Sequence, residues 1–351
     1  MDNPEVILGN SNPRFSGVTS TMLQTLPGVC SAIPVAVLGP HHLPDDVPSL
    51  TFREFVKLCR QPLRSGRHRI FHARRNNEMI QALLARKLFG ARIKIAFTST
   101  AQRQHTWLTK WLIAQMDGLL TTCTGAAAVL DRPPDRMIPH GVDLKTYAPP
   151  SSKQEGWKAL GLPGDYGVGV FGRVRPQKGI DILIEAALPL LAKHPGPTLV
   201  IVGETTPKFR AYQEHLEGMV AEAGLTERVH FLGKQPHDKL PGLFQGMSLV
   251  VALSRNEGFG LTVLEAMASG CAVLASHTGA WRDIIREGTD GATVPCDDIP
   301  ATRAALDQLF SNSDSLESTG AAGRQRVEDK YEVAMEAKAL VDYYRCLGTP
   351  E

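Results

Sequence analysis

The chain has 351 residues, 43% hydrophobic and 21% charged, with 38 Lys and Arg against 36 Asp and Glu for a formal net charge of +2. Those are ordinary globular values, which exclude a disordered or collagen-like chain, and the length suggests two domains that each bury a core. The small net charge excludes a uniformly basic protein but averages two unlike halves: residues 1–150 hold 18 basic and 10 acidic residues, a net of +8, and residues 151–351 hold 20 and 26, a net of −6.

In chain order, residues 6–8, 33–38, 70–71, 93–97 and 119–122 read as strands, with helices expected over residues 77–89 and 104–115. A break comes at residues 143–150, where Pro149-Pro150 and then Ser151-Ser152 punctuate the pattern. Beyond it, residues 168–171, 199–202, 229–232, 249–253 and 272–275 are compact apolar runs of the kind buried on both faces of a parallel sheet. Between the first two, Ile180, Leu183, Ile184, Ala187, Leu188 and Leu191 keep helical spacing, and a further helix is expected over residues 261–269. The tail after Arg324 reads as helical. Strand–helix alternation of this kind makes doubly wound α/β layers. The expected organisation is two Rossmann-like domains, residues 1–150 and 151–330, facing each other across a cleft. Residues 331–351 form a C-terminal helix packing back toward the first domain. Ligands of such sheets sit beyond the carboxyl ends of the strands.

No stretch offers the roughly 20 apolar residues a bilayer span requires, and the start lacks the basic and apolar regions of a signal peptide. The six cysteines are scattered, without C-x-x-C pairs or zinc-type His spacing. Each reads as a small buried apolar residue of a reducing cytoplasm.

The run from Gly167 to Gly172 matches G-x-G-x-x-G, but its glycines fall within a strand and no acidic residue lies at the distance ribose binding needs, so a nicotinamide site is rejected. The loop after Gly172 is more informative. Arg173 and Lys178 put two cations between that strand and the next helix, where free N–H groups already favour an anion. Arg forks two oxygens and Lys acts as a point charge, which suits a diphosphate. A second constellation, Glu257-Gly258-Phe259-Gly260-Leu261-Thr262 with Glu265 beyond, straddles a Gly-Phe-Gly turn that lets backbone approach a ligand. Carboxylates beside a phosphate site suit a ligand that also carries vicinal hydroxyls.

Arg173, Lys178 and the Glu257/Glu265 pair, in this order in a C-terminal Rossmann-like domain, resemble the donor site of the family 4 retaining glycosyltransferases of GT-B fold. The resemblance implies that Gly172, Arg173 and Lys178 hold the donor diphosphate, that Glu265 takes the nucleotide ribose, and that Glu257 holds donor-sugar hydroxyls. Backbone around Gly258, Phe259, Gly260, Leu261 and Thr262 would line sugar and phosphate. Pro139-His140-Gly141-Val142-Asp143 is similar to the family's run before the hinge, with His140 in place of Asn. Ser16-Gly17-Val18 is similar to its N-terminal glycine loop over the donor phosphates. The runs from Phe71 to Met79 and from Thr98 to Arg103 resemble, more narrowly, bacterial lipopolysaccharide core mannosyltransferases. That likeness implies GDP-mannose as donor, a lipopolysaccharide core or lipid-linked glycan as acceptor, and acceptor contacts from Arg74, Arg75 and Asn76. His72-Ala73-Arg74 stands where the family often has His-x-His, so either His72 or Arg74 faces the reacting sugar, or His72 is a core histidine. Gly279-Ala280-Trp281-Arg282-Asp283 departs from the family's Gly-Gly and Glu.

The expected chemistry needs neither metal nor cofactor. Fixed cations lower the barrier as charge grows on the leaving diphosphate, by about 2.7–4 kcal/mol per well-placed group. No carboxylate nucleophile is evident, so front-face attack by the acceptor hydroxyl is preferred, with Arg173, Lys178, Glu257 and His72 as catalytic candidates. The alternatives are a UDP-sugar donor in the same fold and an inactive nucleotide-sugar binder. A nucleic-acid binder ranks last, because no aromatic platforms interleave the arginines. Residues 51–94 alone hold 12 basic and two acidic residues. Such a surface attracts anionic headgroups at about 1 kcal/mol per basic residue, implying peripheral association with the cytoplasmic face of the inner membrane and an anionic acceptor.

Overall fold

Short runs of Val, Ile, Leu and Phe bounded by Gly, Asn and Ser become buried parallel strands, because their side chains on both faces need apolar cover. In the computed structural model, which describes residues 3–350, the chain divides into two units. One runs to Gly141 and resumes at Val333; the other is Val142–Glu332.

Unit 1 has a seven-stranded sheet: β1 (Val6–Gly9), β2 (Val35–Leu38), β3 (Ser49–Leu50), β4 (Arg69–Ala73), β5 (Ile93–Ser99), β6 (Gly118–Thr121) and β7 (Arg136–Met137). All pairings are parallel, in the order β3-β2-β1-β4-β5-β6-β7. Alternation along β1 sorts the core into two layers. Val6 and Leu8 face α1 (Gly17–Ala32) and the last helix, Val333–Leu347, whereas Ile7 faces the layer of α2 (Phe52–Cys59), α3 (Asn76–Phe89) and α4 (Trp107–Ala114). The last helix packs Ala337 against Gly28 of α1, where a Cβ on Gly28 would stand 2.7 Å from that of Ala337.

Unit 2 repeats the plan with six parallel strands: β8 (Tyr166–Phe171), β9 (Pro197–Val202), β10 (Val229–Gly233), β11 (Met247–Ala252), β12 (Ala272–Ser276) and β13 (Ala292–Val294), in the order β10-β9-β8-β11-β12-β13. Val168 and Val170 of β8 face the core under helix Ile180–Lys193. Gly167 and Gly169 lie inside β8, where a Cβ would stand 2.5 Å from the Trp157 ring and 2.7 Å from Met247, so these glycines serve packing.

The chain enters unit 2 at Val142, before the Pro149-Pro150 pair, because Tyr147 belongs to the second core: its ring meets Phe244 edge-on at 5.6 Å and is 2% exposed. Two cysteines depart from expectation, since Cys30 and Cys346 are exposed while Cys59, Cys123 and Cys271 are buried. No helix among the described residues is long and apolar enough to cross a membrane.

Candidate active site

In unit 2 the strand order reverses between β8 and β11, and a doubly wound sheet binds ligands at that switch point. β8 delivers Gly172 and Arg173 there, and β11 leads into the turn of residues 257–260. Lys178 ends a single 3-10 turn, Pro176–Lys178, and Gly179 (φ +65°) swings the chain into helix Ile180–Lys193. Only glycine fits at position 179, because a Cβ would also stand 2.1 Å from the Leu253 carbonyl oxygen. Arg255 ties the two loops together. Its guanidinium donates to both Asp181 oxygens at 2.8 and 3.0 Å and to Asp297 at 2.6 Å, while its backbone N–H donates to the Gln177 carbonyl at 2.8 Å.

Within this frame Lys178 Nζ lies 2.7 Å from Glu257 Oε2, the side chains being 17% and 22% exposed. Ser254 Oγ donates to the same oxygen at 3.3 Å, and Glu257 N–H donates to Thr278 Oγ1 at 3.2 Å. Glu265, on helix Leu261–Ala268, accepts from Tyr147 OH at 3.2 Å. Burial pushes its carboxyl up to about 7, against the Tyr147 hydrogen bond and the charge of Lys178, which both hold it down. Lys178, Glu257 and Glu265 thus form one cluster. Arg173 makes no side-chain hydrogen bond or ion pair among the described residues, so all its donors stay open to an anion.

The Gly-Phe-Gly turn is clamped by the loop of residues 279–283, whose sequence suggests no role there. Gly260 (φ +88°) is capped by Trp281, whose Nε1–H donates to the Gly260 carbonyl at 2.9 Å, and Ala280 N–H donates to the Phe259 carbonyl at 2.9 Å. Gly258 lies in this turn, and Leu261 and Thr262 open the helix beyond it. The run Gly279–Asp283, which departs from the family's Gly-Gly and Glu, is therefore a support for the turn. Tyr147, Ser254, Thr278 and Trp281 are site residues that spacing does not single out; only Trp281, a buried aromatic with an N–H to satisfy, carries any signal.

In unit 1 the strand order reverses between β1 and β4. There Glu78, fully buried, accepts from the backbone N–H of Arg74 at 2.8 Å and Arg75 at 3.1 Å, and from Arg75 Nη1 at 3.0 Å. Burial pushes the Glu78 carboxyl up, and these bonds offset only part of the rise. Arg75 Nη2 donates to Ser16 Oγ and Thr19 Oγ1, each at 2.9 Å, pinning the start of α1, so Gly17 opens a helix and does not form a free loop. Asn76 Nδ2 donates to Thr109 Oγ1 at 2.8 Å. His72 is 0% exposed, with Nδ1 2.6 Å from Tyr344 OH and Nε2 2.7 Å from Thr98 Oγ1. Burial, reinforced by the charges of Arg74 and His140, pushes His72 well below the usual histidine range and keeps it neutral. Both ring nitrogens of His72 are thus engaged inside unit 1, the contacts expected of a core histidine. Of the expected acceptor residues, Arg75 is committed to Glu78 and α1, whereas Arg74 has a buried Nη1 without a partner. His140 Nδ1 meets Glu336 Oε1 at 2.7 Å, and Gly141 N–H donates to Glu336 Oε2 at 2.8 Å, which fastens the last helix to unit 1. Among the described residues no group of three or more His, Cys, Asp or Glu is arranged to hold a metal ion.

Two doubly wound parallel sheets, one carrying cations and paired carboxylates at its switch point, define a class of proteins suited to nucleotide-linked, polyhydroxylated ligands. Residues 157–326 match the family described as "Glycosyl transferases group 1". The chain is 41% identical over 344 residues to the "Lipopolysaccharide core biosynthesis mannosyltransferase LpcC" of Rhizobium leguminosarum bv. viciae, spanning 98% of this chain and 96% of that one. It is 40% identical over 349 residues to LpsB of Rhizobium meliloti, which bears the same description, spanning 98% and 97%. Among solved structures, Anabaena HepE in complex with UDP superposes over 97% of this chain and 99% of that one, with a TM-score of 0.81 at 17% identity, a likeness of fold alone. The chain belongs to the group 1 glycosyltransferases and is an enzyme of GT-B fold.

Proposed function

We propose that the protein transfers mannose from GDP-mannose to a lipopolysaccharide core or lipid-linked glycan acceptor, with retention of configuration and without a metal. The observation that carries this reading is the cluster of Lys178, Glu257 and Glu265, with the open Arg173 beside it, at the β8/β11 switch point. The names of the relatives at 41% and 40% identity support mannose and the core acceptor; the guanine nucleotide comes from resemblance. In this reading unit 2 binds the donor. Gly172 backbone, Arg173 and Lys178 hold the diphosphate, Glu265 the ribose, and Glu257 with the turn through Thr262 the sugar hydroxyls. Unit 1 receives the acceptor, with Gly17 as its contact to the donor phosphates and Arg74 as the cation for an acidic or phosphorylated sugar.

As the sugar–phosphate bond breaks, negative charge grows on the diphosphate, and Lys178 exchanges its carboxylate partner for the leaving oxygen while Arg173 forks its neighbours. The acceptor hydroxyl attacks from the same face and gives its proton to the leaving phosphate, so the configuration is kept. The basic excess of residues 51–94 supports association with the anionic cytoplasmic face of the inner membrane. The test is incubation of purified protein with a panel of GDP- and UDP-sugars and truncated lipopolysaccharide acceptors, with product mass and anomeric configuration read out and EDTA present in one arm. An α-mannosyl product from GDP-mannose that survives EDTA supports the proposal. Turnover of UDP-sugars alone, an inverted product, or loss of activity in EDTA overturns the corresponding part.

A further inference from the structure

We propose that the outer faces of α3 and α4 form a lipid-inserting surface that seats unit 1 in the interface of an anionic phospholipid bilayer. This rests on the membrane association in the proposed function and goes beyond it, since a basic face alone would only hover over headgroups. Ten large apolar side chains are exposed among the described residues, and seven of them lie on these two helices: Ile80, Leu84, Leu88 and Phe89 on α3, and Trp107, Leu108 and Trp111 on α4. Ile80, Leu84 and Leu88 recur at four-residue spacing, so they stand in one outward row, while Met79, Ala82 and Leu83 fill the core behind them. Leu88 is 70% and Trp107 79% exposed, far beyond what isolated surface apolar residues explain. Lys87 Nζ stands 5.8 Å from the Trp111 ring centre, which joins the α3 row to the α4 row in one patch.

Charge around the patch identifies the occupant. α4 has no acidic residue, and the one on α3, Glu78, is buried. The nearby Asp117 and Asp131 are neutralised by Arg86 and by Lys110, the latter pair at 2.8 Å. The adjoining α2 presents Arg53 and Lys57 outward, with Arg60 exposed just past its end, its Glu54 is held in a capping box with Thr51, and Lys87 and Arg92 are exposed as well. An apolar ridge with two tryptophans, rimmed by cations and with its neighbouring acids buried, paired or capped, matches a bilayer interface: aromatic rings at headgroup depth, aliphatic tips below, basic groups on lipid phosphates. The patch also adjoins the acceptor end of unit 1, because Asn76 at the start of α3 bonds to Thr109 of α4. A lipid-anchored acceptor would thus be met by the helices that touch its membrane.

The tryptophans supply the test. Trp157 and Trp281 are 2% and 1% exposed, so a lipid-dependent change in emission reports on Trp107 and Trp111. Vesicles of phosphatidylethanolamine with phosphatidylglycerol should shift the emission of the full chain to the blue, and brominated lipid should quench it. Leu84→Glu/Leu88→Glu should weaken partitioning by roughly tenfold or more, with unchanged thermal melting and unchanged turnover of a delipidated, water-soluble acceptor. Trp107→Gln checks the same face through a different side chain. If the wild type sediments with vesicles but its emission does not move and the Leu variants bind equally, the basic-face reading survives and this surface is overturned. If the wild type fails to bind vesicles at all, both fall. A solution dimer that the Leu variants dissociate, without any lipid shift, assigns the patch to a second copy of the chain and overturns the proposal.

Discussion

The two switch points are built on the same topology and use charge in opposite ways. At the β8/β11 end the charged groups are loosely satisfied: Lys178 pairs with Glu257 while partly open, Glu265 accepts from Tyr147, and Arg173 has no partner among the described residues. At the β1/β4 end the charge is folded inward: Glu78 accepts three hydrogen bonds, Arg75 is divided between Glu78 and α1, and His72 is bonded at both nitrogens. Parallel sheets focus ligands at both places. Whether a charged residue there binds substrate or holds a loop depends on how many of its donors and acceptors the fold has already taken.

Removing a buried group from unit 1 should produce the largest change. Glu78→Ala leaves Arg75 and two backbone N–H groups without their acceptor, and the urea midpoint should report a loss of about 3–5 kcal/mol of stability; an unchanged midpoint would remove Glu78 from the frame. Lys178→Ala should do the reverse, cutting kcat about 10²–10³-fold while thermal melting moves far less than in the Glu78 variant, because this ion pair still reaches solvent. Wild-type turnover in that folded variant would take Lys178 out of the site.

Acid should separate His72 from the two raised carboxylates by sign. His72 is depressed in the fold, so only the unfolded chain takes up its proton, and unit 1 should lose up to about 1.4 kcal/mol per pH unit below roughly 6.5. Glu265 titrates near 7 folded and near 4.5 unfolded, so its contribution is fully present below 4.5 and is lost as pH rises through about 7. Glu78, also raised, acts with the sign of Glu265 inside unit 1, so variants are needed to assign the slopes. His72→Gln should flatten the acid loss, and Glu265→Gln should remove the alkaline one. In the wild type the donor KM should climb as pH falls below about 7, where Glu265 protonates, by at most about tenfold per unit; a pH-independent KM would argue against ribose binding there. The smallest effect is expected from Thr278→Ala, which frees Glu257 N–H and should lower kcat/KM a few-fold, on the order of 1 kcal/mol.

Local pattern was enough for the strands of both sheet centres, for helices Asn76–Phe89 and Ile180–Lys193, and for the placing of Arg173, Lys178, Glu257 and Glu265 close after strands. Each of these depends on residues within a few positions of one another, where periodicity and turn chemistry act. The two-residue edge strands β3 and β7 carry too little pattern to read, and α1 is masked by Pro27, Gly28 and its threonines, since its helicity comes from packing on the last helix. The burial of His72 against Tyr344, 272 positions away, and the capture of Arg75 by Ser16, 59 positions back, are decided only when distant segments meet. Sequence alone therefore determined the class of sheet and the chemistry carried by its loops. Tertiary structure decided which of those charged side chains remain available, because hydrogen-bond saturation and desolvation arise from neighbours that no local spacing encodes.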